Sequence, residues 1–349
     1  MTFIDLFAGV GGFRRGMELA GHKCMGFCEF DKFAVASYTS MHLITEEQRR
    51  YLATFDLKKR QKEILKDEYR NGEWYSPDIR SIRADDVPRV DCWCFGAPCQ
   101  DFSIAGKRAG LDGDRSSLVR EVFRILGEIR EEDRPEWLIY ENVKGMLSSN
   151  KGFDYLVILL ELDELGYDCE WQIFNSKYHD VPQNRERVYT IGHLRTGGRK
   201  QIFPLCGSDK DNSADIKQIG SYKAKRANPN RFRCYDSTGI APTLGCMEGG
   251  GLEPHIVTLI DMPPLLKAQT HGMDNDCIPA IWNEKYNSLI AIRKITPKEC
   301  FRLQGWTGDY FEKARFVNSD SQLYKQAGNG VTVTVVEDIG EALCQQEKI

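Results

Sequence analysis

The sequence lacks the features that place a chain in a membrane or outside the cell. Its 349 residues contain no apolar run of about 18, the length that a membrane-spanning helix needs. The first residues, MTFIDLFAGV, lack the charged lead-in and the small-residue cleavage site of a secretory signal. We therefore expect a cytoplasmic protein with no membrane partner, long enough for one large domain and one smaller domain.

The twelve cysteines lack the spacing of metal ligands, because no C-x-x-C pair and no His-x-x-x-His pair occurs. Structural zinc sites are built from such closely spaced ligands, so we expect no metal site. Reduced thiols in the cytosol pack as small apolar side chains. The ordinary interpretation of any one cysteine is therefore core packing.

A strong overall charge is also lacking, since the formal net charge is −4. The global balance thus gives no sign of a nucleic-acid partner. Residues 217–233 nevertheless carry six Lys or Arg and no acid. Such a run is most often a solvated face, and it indicates a polyanion only if other residues form a site for one.

What is present in the first half is an alternation of short apolar runs and helical patterns. It predicts an α/β fold with a doubly wound, mostly parallel sheet. The predicted strands are residues 2–7, 23–28, 90–95, 136–141 and 186–194. Between them, the highly charged segment 45–74 reads as a helical insertion.

The second half changes in character after residue 194. Residues 195–292 are rich in Gly, Pro, Asn and Ser and predict a separate, loop-rich domain, so residues 1–194 and 293–349 would form the other. A helical pattern returns at ITPKECFRLQGW. There Thr296, Pro297 and Glu299 have the order of a helix cap, a first-turn proline and a capping-box acid.

Unusual residues follow four of the predicted strands. These strands run into the segments FAGVGG, EFDKF, GAPCQ and ENVKG. In an open parallel sheet, ligands bind beyond the carboxyl ends of the strands. We therefore expect the four segments to meet at one edge of the sheet and to form the functional site.

The glycines of FAGVGG would let the backbone turn tightly and approach a ligand. The loop departs from G-x-G-x-x-G, because Arg14 takes the third glycine position, and this gives little support to pyrophosphate binding. Glu29, about twenty residues on, could bind ribose hydroxyls, and Asp78 could be a further acceptor. The alternatives are a loop that only turns and acids that cap helices.

Cys99, in FGAPCQDFS, follows the third predicted strand, and Pro98 stiffens the loop that carries it. A thiol held rigidly beside a substrate is a good nucleophile. Cys99 is therefore a candidate nucleophile, with core packing as the alternative.

Acid and base chemistry at the same edge has its own candidates. Glu141 ends an apolar strand, where partial desolvation lets a carboxyl hold a proton; a helix cap is the alternative. Arg185 and Arg187 alternate onto one face and could meet a carbonyl or a phosphate. Their alternative is a surface ion pair.

Taken in chain order, seven segments of the sequence resemble the motifs of the DNA cytosine-5 methyltransferases of the bacterial and phage type. The matching segments are FIDLFAGVGG, CEFDKFA, GAPCQDFSIAGKRAGL, ENVKGML, PQNRERVYTIG, RKITPKECFRLQGW and QAGNGVTVTV. They cover most of residues 2–194 and 293–340. The resemblance implies a Rossmann-like methyltransferase, with residues 195–292 as its target-recognition domain.

The resemblance also implies catalytic roles. Cys99 matches the nucleophile that adds to carbon 6 of cytosine, and Glu141 matches the acid that protonates or hydrogen-bonds ring nitrogen 3. Arg187 matches the contact to the cytosine carbonyl oxygen, and Arg185 its supporting partner. Asn142 belongs to the same ENV motif as Glu141.

S-adenosylmethionine is the methyl donor that the resemblance implies, and its lack of a pyrophosphate explains the imperfect glycine motif. Glu29 would bind its ribose, Phe30 would stack on its adenine, and Asp78 would bind the adenine amino group. The implied cofactor-binding residues are Phe7, Gly9, Gly11, Gly12, Glu29, Phe30, Asp78, Ile79, Pro98 and Asn329.

The implied partner is double-stranded DNA, with the target cytosine flipped out of the stack. The expected DNA-binding residues are Gln100, Ser103, Arg115, Arg226, Arg231, Arg233, Thr243 and Leu244. Ala105 stands where a relative has a serine that fills the vacated stack, so another residue would do this here. We expect a monomer at the nucleoid of a prokaryote, either stand-alone or paired with a separately acting restriction endonuclease.

Three other functions remain open. A branch of the same family methylates transfer RNA with the same core, although the sizeable recognition domain favours DNA. A DNA-binding regulator that has lost catalysis is a second alternative, opposed by Cys99, Glu141 and Arg187. A nicotinamide oxidoreductase would leave the PCQ, ENV and QNRER motifs unexplained.

Overall fold

The computed structural model describes most of the chain around two β-sheets. The described residues are 1–98, 117–198, 200–206, 215–221, 233–246, 253–260, 277–283 and 288–346.

The first sheet has seven strands. They are β1 (Thr2–Leu6), β2 (Lys23–Cys28), β3 (Trp74–Ser76), β4 (Cys92–Phe95), β5 (Trp137–Val143), β6 (Tyr167–Asn175) and β7 (Glu186–Leu194). Their spatial order is β3-β2-β1-β4-β5-β7-β6. The first five strands in this order pair in parallel, whereas β7 is antiparallel to both of its neighbours. The predicted mostly parallel α/β fold is confirmed.

The described residues also form helices, some of which cover the two faces of this sheet. They are α1 (Gly12–Leu19), α2 (Lys32–Tyr38), α3 (Glu46–Leu52), α4 (Leu57–Glu63), α5 (Ser117–Glu128), α6 (Phe153–Glu164), α7 (Pro297–Leu303), α8 (Gly308–Arg315), α9 (Asp320–Asn329) and α10 (Val333–Gln346). Among the described residues, no helix is both long and apolar enough to cross a membrane.

Alternate residues of the central strands supply two core layers. Trp93 and Phe95 of β4 face the layer that contains α5 and α6. Cys92 and Cys94 face the layer that contains α1 and α10. A strand buried on both faces is apolar throughout, which is why CWCF could be recognised as a strand.

Helices α1 and α10 pack closely enough to require small residues. A Cβ added at Gly16 would lie 2.5 Å from the Cβ of Val336, and one added at Gly340 would lie 2.8 Å from the Cβ of Ala20. The C-terminal helix thereby closes one face of the sheet, directly behind the glycine loop that precedes α1.

Most described cysteines are core residues, as expected for reduced thiols. The fully buried ones are Cys24, Cys28, Cys92, Cys94, Cys234 and Cys300. Cys206 departs from this expectation, because its side chain is exposed.

The second sheet lies in the region that the sequence predicted to be rich in loops. Its five strands are β8 (Gln218–Ser221), β9 (Arg233–Asp236), β10 (His255–Ile260), β11 (Cys277–Asn283) and β12 (Ser288–Lys294). They are ordered β11-β12-β10-β9-β8. Only the β9–β10 pair is parallel, among the pairs described here.

Some elements differ from their predicted form. The predicted insertion, residues 45–74, is two short helices and a 3₁₀ turn, and it ends at the first residue of β3. Strand β6 and helix α6 were not predicted. The capped helix was predicted correctly, since the Thr296 hydroxyl accepts from Glu299 N at 3.2 Å and the Glu299 carboxylate accepts from Thr296 N at 2.7 Å.

Candidate active site

The carboxyl ends of four parallel strands lie side by side in the order β2-β1-β4-β5. Leu6 is in register with Cys28 on one side and with Phe95 on the other, and Phe95 is in register with Tyr140. The segments that follow these strands therefore reach the same edge of the sheet, as the sequence predicted.

The glycine loop, residues 7–12, joins β1 to the first residue of α1 and has a left-handed backbone at three positions. Phe7, Gly9 and Gly11 have φ angles of 56°, 57° and 88°. For Phe7 this conformation costs about 1–2 kcal/mol, which the rest of the fold must offset. At Gly12 an added Cβ would lie 2.8 Å from the carbonyl oxygen of Val331, so only glycine fits there.

Glu29 holds this loop from the end of β2. Its Oε2 accepts a hydrogen bond from Gly9 N at 2.8 Å, and its Oε1 accepts one from Asp31 N at 2.7 Å. Burial raises the pKa of Glu29. Each carboxylate oxygen has a second lone pair, so Glu29 can still accept a hydrogen bond from a ligand hydroxyl.

Phe30 follows β2 and Asp78 follows β3. Their side chains differ in whether a neighbouring residue engages them. Phe30 is 74% exposed. Asp78 is engaged by Arg80, with Nη2 2.7 Å from Oδ2, and this hydrogen bonding lowers the pKa of Asp78. Ile79 is buried in the core cluster that also contains residues of β1 and β4. Its expected part in cofactor binding stays a prediction.

Arg14, at the position of the missing third glycine, is buried beneath the loop. Its Nη1 lies 2.6 Å from Oε2 of Glu73, its Nε lies 2.9 Å from Oε1 of Glu18, and its Nη1 lies 3.3 Å from the Tyr38 hydroxyl. The end of the charged insertion is thus tied to the first turn of α1.

Glu141 and Arg187 form a largely buried ion pair on neighbouring antiparallel strands. Nε of Arg187 lies 3.0 Å from Oε1 of Glu141, which is 9% exposed. The other carboxylate oxygen faces the segment that follows β4, because a Cβ added at Gly96 would lie 3.3 Å from Oε2. Glu141 therefore has one oxygen on Arg187 and one toward the segment that leads to Cys99.

Arg185 is 3% exposed and holds the C-terminal end of α9. Its Nη1 donates to the carbonyl oxygen of Gly328 at 3.3 Å, and its Nη2 donates to that of Gly330 at 2.8 Å. These two hydrogen bonds fix the backbone on both sides of Asn329.

Asn142, which was expected in the catalytic centre with Glu141, is buried and hydrogen-bonded within β5. Its Nδ2 donates to the Tyr140 hydroxyl at 2.7 Å, and its Oδ1 accepts from Val143 N at 2.8 Å. Both contacts lie within the same strand, so Asn142 shapes the strand end that presents Glu141.

Residues 241–246 connect the second sheet to the site. The Thr243 hydroxyl donates to the carbonyl oxygen of Asn184 at 2.6 Å, and Cys246 Sγ donates to Oδ1 of Asn329 at 2.8 Å. Leu244 was expected at the DNA surface, but its side chain is 2% exposed and packs with Trp306. Leu244 therefore offers no open surface in this conformation.

Val331 was not predicted as part of the site. Its carbonyl oxygen blocks a Cβ at Gly12, and its Cγ2 would lie 3.8 Å from a Cβ at Gly96. It thus bridges the glycine loop and the segment before Cys99. Its position two residues after Asn329, in the GNGVTV motif, was the available signal.

Two of the remaining predicted residues lie within the described part of the chain. Pro98 is half-buried at the end of a described segment, and Arg233 is half-buried on β9. The expectations for Cys99, Gln100, Ser103, Ala105, Arg115, Arg226 and Arg231 lie outside the described residues.

Comparison with known proteins adds to this geometry. The chain is 31% identical over 365 residues to the type II methyltransferase M.HpaII of Haemophilus parainfluenzae, covering 99% of this chain and 89% of that protein. It is 26% identical over 457 residues to the orphan methyltransferase M.SPRI of Bacillus phage SPR, covering 98% and 97%.

The fold is shared with solved methyltransferases. The Entamoeba histolytica methyltransferase EhMeth superposes with a TM-score of 0.67 at 16% identity, covering 100% of this chain and 99% of that one. The family model described as C-5 cytosine-specific DNA methylase matches residues 1–345. The chain is a methyltransferase that belongs to the C-5 cytosine-specific DNA methylase family.

Proposed function

We propose that the chain transfers a methyl group from S-adenosylmethionine to carbon 5 of a cytosine flipped out of double-stranded DNA. The thiolate of Cys99 adds to carbon 6, and carbon 5 then takes the methyl group. Loss of the carbon 5 proton expels the thiolate and leaves 5-methylcytosine. The observation that carries this proposal is the Glu141–Arg187 pair, which lies against the segment that leads to Cys99.

Glu141 and Arg187 would act on the polar edge of the cytosine ring. Glu141 donates a proton or a hydrogen bond to ring nitrogen 3, and Arg187 donates to the carbonyl oxygen. Negative charge develops on this edge when the thiolate adds, so donors fixed in advance stabilise the transition state more than the bound base. Arg185 supports them by holding the backbone around Asn329.

The residues around the glycine loop fit S-adenosylmethionine, which when bound supplies an electrophilic methyl group. A Cβ added at Gly9 would meet nothing within 4 Å, so the loop has open space beside it. Glu29 lies next to that space and retains acceptor capacity for a ribose. The exposed ring of Phe30 is available to stack on adenine.

Asp78 and Asn329 would complete the cofactor pocket at its two ends. The Asp78 carboxylate would accept a hydrogen bond from the adenine amino group in addition to the one it accepts from Arg80. Asn329 would approach the methionine end, with its amide oxygen held by Cys246. Phe7, Gly11, Gly12 and Pro98 would shape the pocket wall, whereas Ile79 would contribute only through its backbone.

Residues 195–292 would form the target-recognition domain. The basic run 217–233 suits phosphate contacts, which supply most non-specific affinity. Arg226, Arg231 and Arg233 are the proposed DNA contacts of this run, beside Gln100, Ser103 and Arg115 of the loop that would close over the base. Thr243 would couple the domain to the QNRER motif through Asn184.

The biological setting follows from the relatives. M.HpaII is named a type II methyltransferase and M.SPRI an orphan methyltransferase. The chain would therefore act in a restriction–modification system, with an endonuclease acting separately, or as a stand-alone phage-type methylase. In either setting it would act at the DNA of a prokaryotic cell, and we propose that it acts as a monomer.

The proposal is tested by incubating the chain with methyl-labelled S-adenosylmethionine and duplex DNA of diverse sequence. Label on cytosine is expected, and DNA binding without label would indicate the regulator instead. Transfer RNA added as a competing substrate separates the remaining alternative. If transfer RNA takes the label in preference to duplex DNA, the DNA assignment is overturned.

The nucleophile is tested by covalent trapping on a duplex that contains 5-fluorocytosine. Cys99→Ser should abolish the trapped complex, because the serine hydroxyl is a far weaker nucleophile at neutral pH. Cys206→Ser is the matched control, since Cys206 is an exposed thiol outside the site. Trapping that persists in Cys99→Ser would exclude the proposed adduct.

A further inference from the structure

His42 lies directly beneath the glycine loop, and neither the sequence motifs nor the proposed reaction gives it a role. It belongs to Thr39–Leu43, a π-helical turn that continues α2. A π turn widens a helix by one residue and is frequent at functional sites. Here it carries the imidazole from the end of α2 to the loop.

The imidazole touches the loop at two consecutive residues. Its Nε2 lies 3.0 Å from the carbonyl oxygen of Val10. A Cβ added at Gly11 would lie only 2.5 Å from the same nitrogen. The ring therefore fills the space that the missing side chain of Gly11 leaves.

The hydrogen bond fixes the tautomer of His42. A carbonyl oxygen can only accept, so Nε2 must carry the hydrogen. Nδ1 is buried, with no hydrogen-bond partner among the residues that the structure describes, which suits a lone pair. Burial lowers the pKa of His42, and the charges of Arg14, Arg15 and Lys313 lower it further, so the ring is neutral.

The other faces of the ring are held by aromatic side chains from two parts of the chain. The ring centroid of His42 lies 4.9 Å from that of Tyr38, 5.5 Å from that of Tyr310 and 6.0 Å from that of Trp306. The imidazole is thus clamped between α2 and the α7–α8 region. One hydrogen bond, from Nε2 to the carbonyl oxygen of Val10, joins it to the loop.

We propose that His42 is a positioning residue for the cofactor: its Nε2–H holds the carbonyl of Val10 and thereby keeps residues 7–12 in the conformation that binds S-adenosylmethionine. The residue acts through the loop, and no contact with the ligand is required. This inference rests on the proposed function to the extent that the loop is the cofactor site.

Three substitutions at this position separate the hydrogen bond from the volume. In His42→Gln the amide nitrogen can reach the place of Nε2, whereas in His42→Asn the shorter amide cannot. His42→Leu fills the space without a donor. Affinity for S-adenosylmethionine is measured by calorimetry, together with KM for each substrate, kcat and the thermal midpoint.

We expect His42→Leu and His42→Asn to weaken S-adenosylmethionine binding about tenfold, equivalent to about 1.4 kcal/mol. His42→Gln should stay within about threefold of the wild type, and KM for DNA should be unchanged in all three. Equal affinity in Gln and Asn variants, or losses that simply follow the thermal midpoint, would overturn the positioning role.

A measurement on the wild-type chain does not depend on how the variants fold. In a ¹⁵N-labelled sample at neutral pH, the His42 ring should show the Nε2–H tautomer; an Nδ1–H tautomer or an imidazolium would exclude the proposed donor. Failure of the wild type to bind S-adenosylmethionine would refute the proposed function. Normal wild-type binding with unchanged affinity in His42→Leu would refute this inference alone.

Discussion

The two halves of the candidate active site are built in different ways. The base half is Glu141 with Arg187, on strands whose pairing brings the two side chains to 3.0 Å. The cofactor half is loop 7–12 with Glu29 and Asp78, and loops carry it. Its acidic groups are held by hydrogen bonds, Glu29 to Gly9 N in the loop and Asp78 to its near neighbour Arg80.

This difference indicates which kinetic constant a substitution in each half should change. Strand-borne groups are fixed by register and burial, so a substitution there changes the chemistry more than the fold. Loop-borne groups depend on the contacts beneath them, so a substitution there changes ligand affinity first. Base-half variants should therefore lower kcat, and cofactor-half variants should raise KM for S-adenosylmethionine.

The largest effect is expected for Glu141→Gln. The amide keeps the shape and can donate a hydrogen bond, but it cannot transfer a proton, so kcat should fall about 10²–10⁴-fold. KM for S-adenosylmethionine should change little. Steady-state methylation of a duplex that contains the target site measures both.

The control for this variant is Glu186→Gln. Glu186 lies on β7 beside Arg187, but it pairs with Lys144 near the surface. Its loss should leave kcat within about twofold, because exposed ion pairs contribute little. A Glu141→Gln enzyme as active as Glu186→Gln would remove Glu141 from the mechanism.

A smaller effect is expected for Arg187→Lys. Lysine keeps the charge but lacks the planar fork, so it cannot hold Glu141 and a carbonyl oxygen together. Loss of one charged hydrogen bond of about 2 kcal/mol corresponds to about 30-fold in kcat/KM for DNA. Arg195→Lys is the matched control, since Arg195 pairs with Asp168 on the surface. Equal activity of the two variants would contradict a role for the guanidinium fork.

Gly11→Ala probes the cofactor half. Gly11 has φ of 88°, and an added Cβ would lie 2.5 Å from Nε2 of His42. We expect KM for S-adenosylmethionine to rise about tenfold, equivalent to about 1.4 kcal/mol of lost binding energy, with kcat at saturation nearly unchanged. Calorimetric titration checks the affinity.

Gly21→Ala separates backbone strain from this clash. Gly21 has a similar φ of 90°, but an added Cβ there meets nothing within 4 Å. Both variants should lose about 1–2 kcal/mol of unfolding free energy from the left-handed backbone. Only Gly11→Ala should lose cofactor affinity; equal losses in both would mean that the clash does not matter.

The positions of Glu141 and Arg187 could be predicted from the sequence, but the contact between their side chains could not. Glu141 and Arg187 each adjoin an apolar run that predicts a strand. Their pairing joins residues far apart in the chain, and local patterns do not encode it. Strand β6 was missed because Glu170 and Gln172 give its sequence a polar pattern. In the structure these side chains accept hydrogen bonds from the backbone nitrogens of Ile202 and Leu205, which lie far along the chain.

The supports of the cofactor half were less predictable still. The glycine loop has a motif, but a single histidine carries no signal of the turn that places it. The second sheet was read as loops because long segments rich in turn residues separate most of its strands in the sequence. Leu244 illustrates the same limit, since the threonine–leucine pair does not show which of the two is buried.

Glu299→Gln should have the smallest effect on activity, because Glu299 lies in neither half of the candidate active site. Arg293 hydrogen-bonds this capping-box carboxylate and lowers its pKa from 4.5 to about 2. A carboxyl whose pKa is depressed on folding stabilises the fold above its ordinary pKa, and the stabilisation is lost as the pH falls toward the depressed value. Glu299→Gln should therefore cost about 1 kcal/mol in urea unfolding at pH 7, less at pH 3, and nothing in kcat or cofactor affinity. Glu312→Gln, on the exposed pair with Lys298, should show little loss at either pH. If the loss in Glu299→Gln did not shrink on acidification, the Arg293 contact would not be its source.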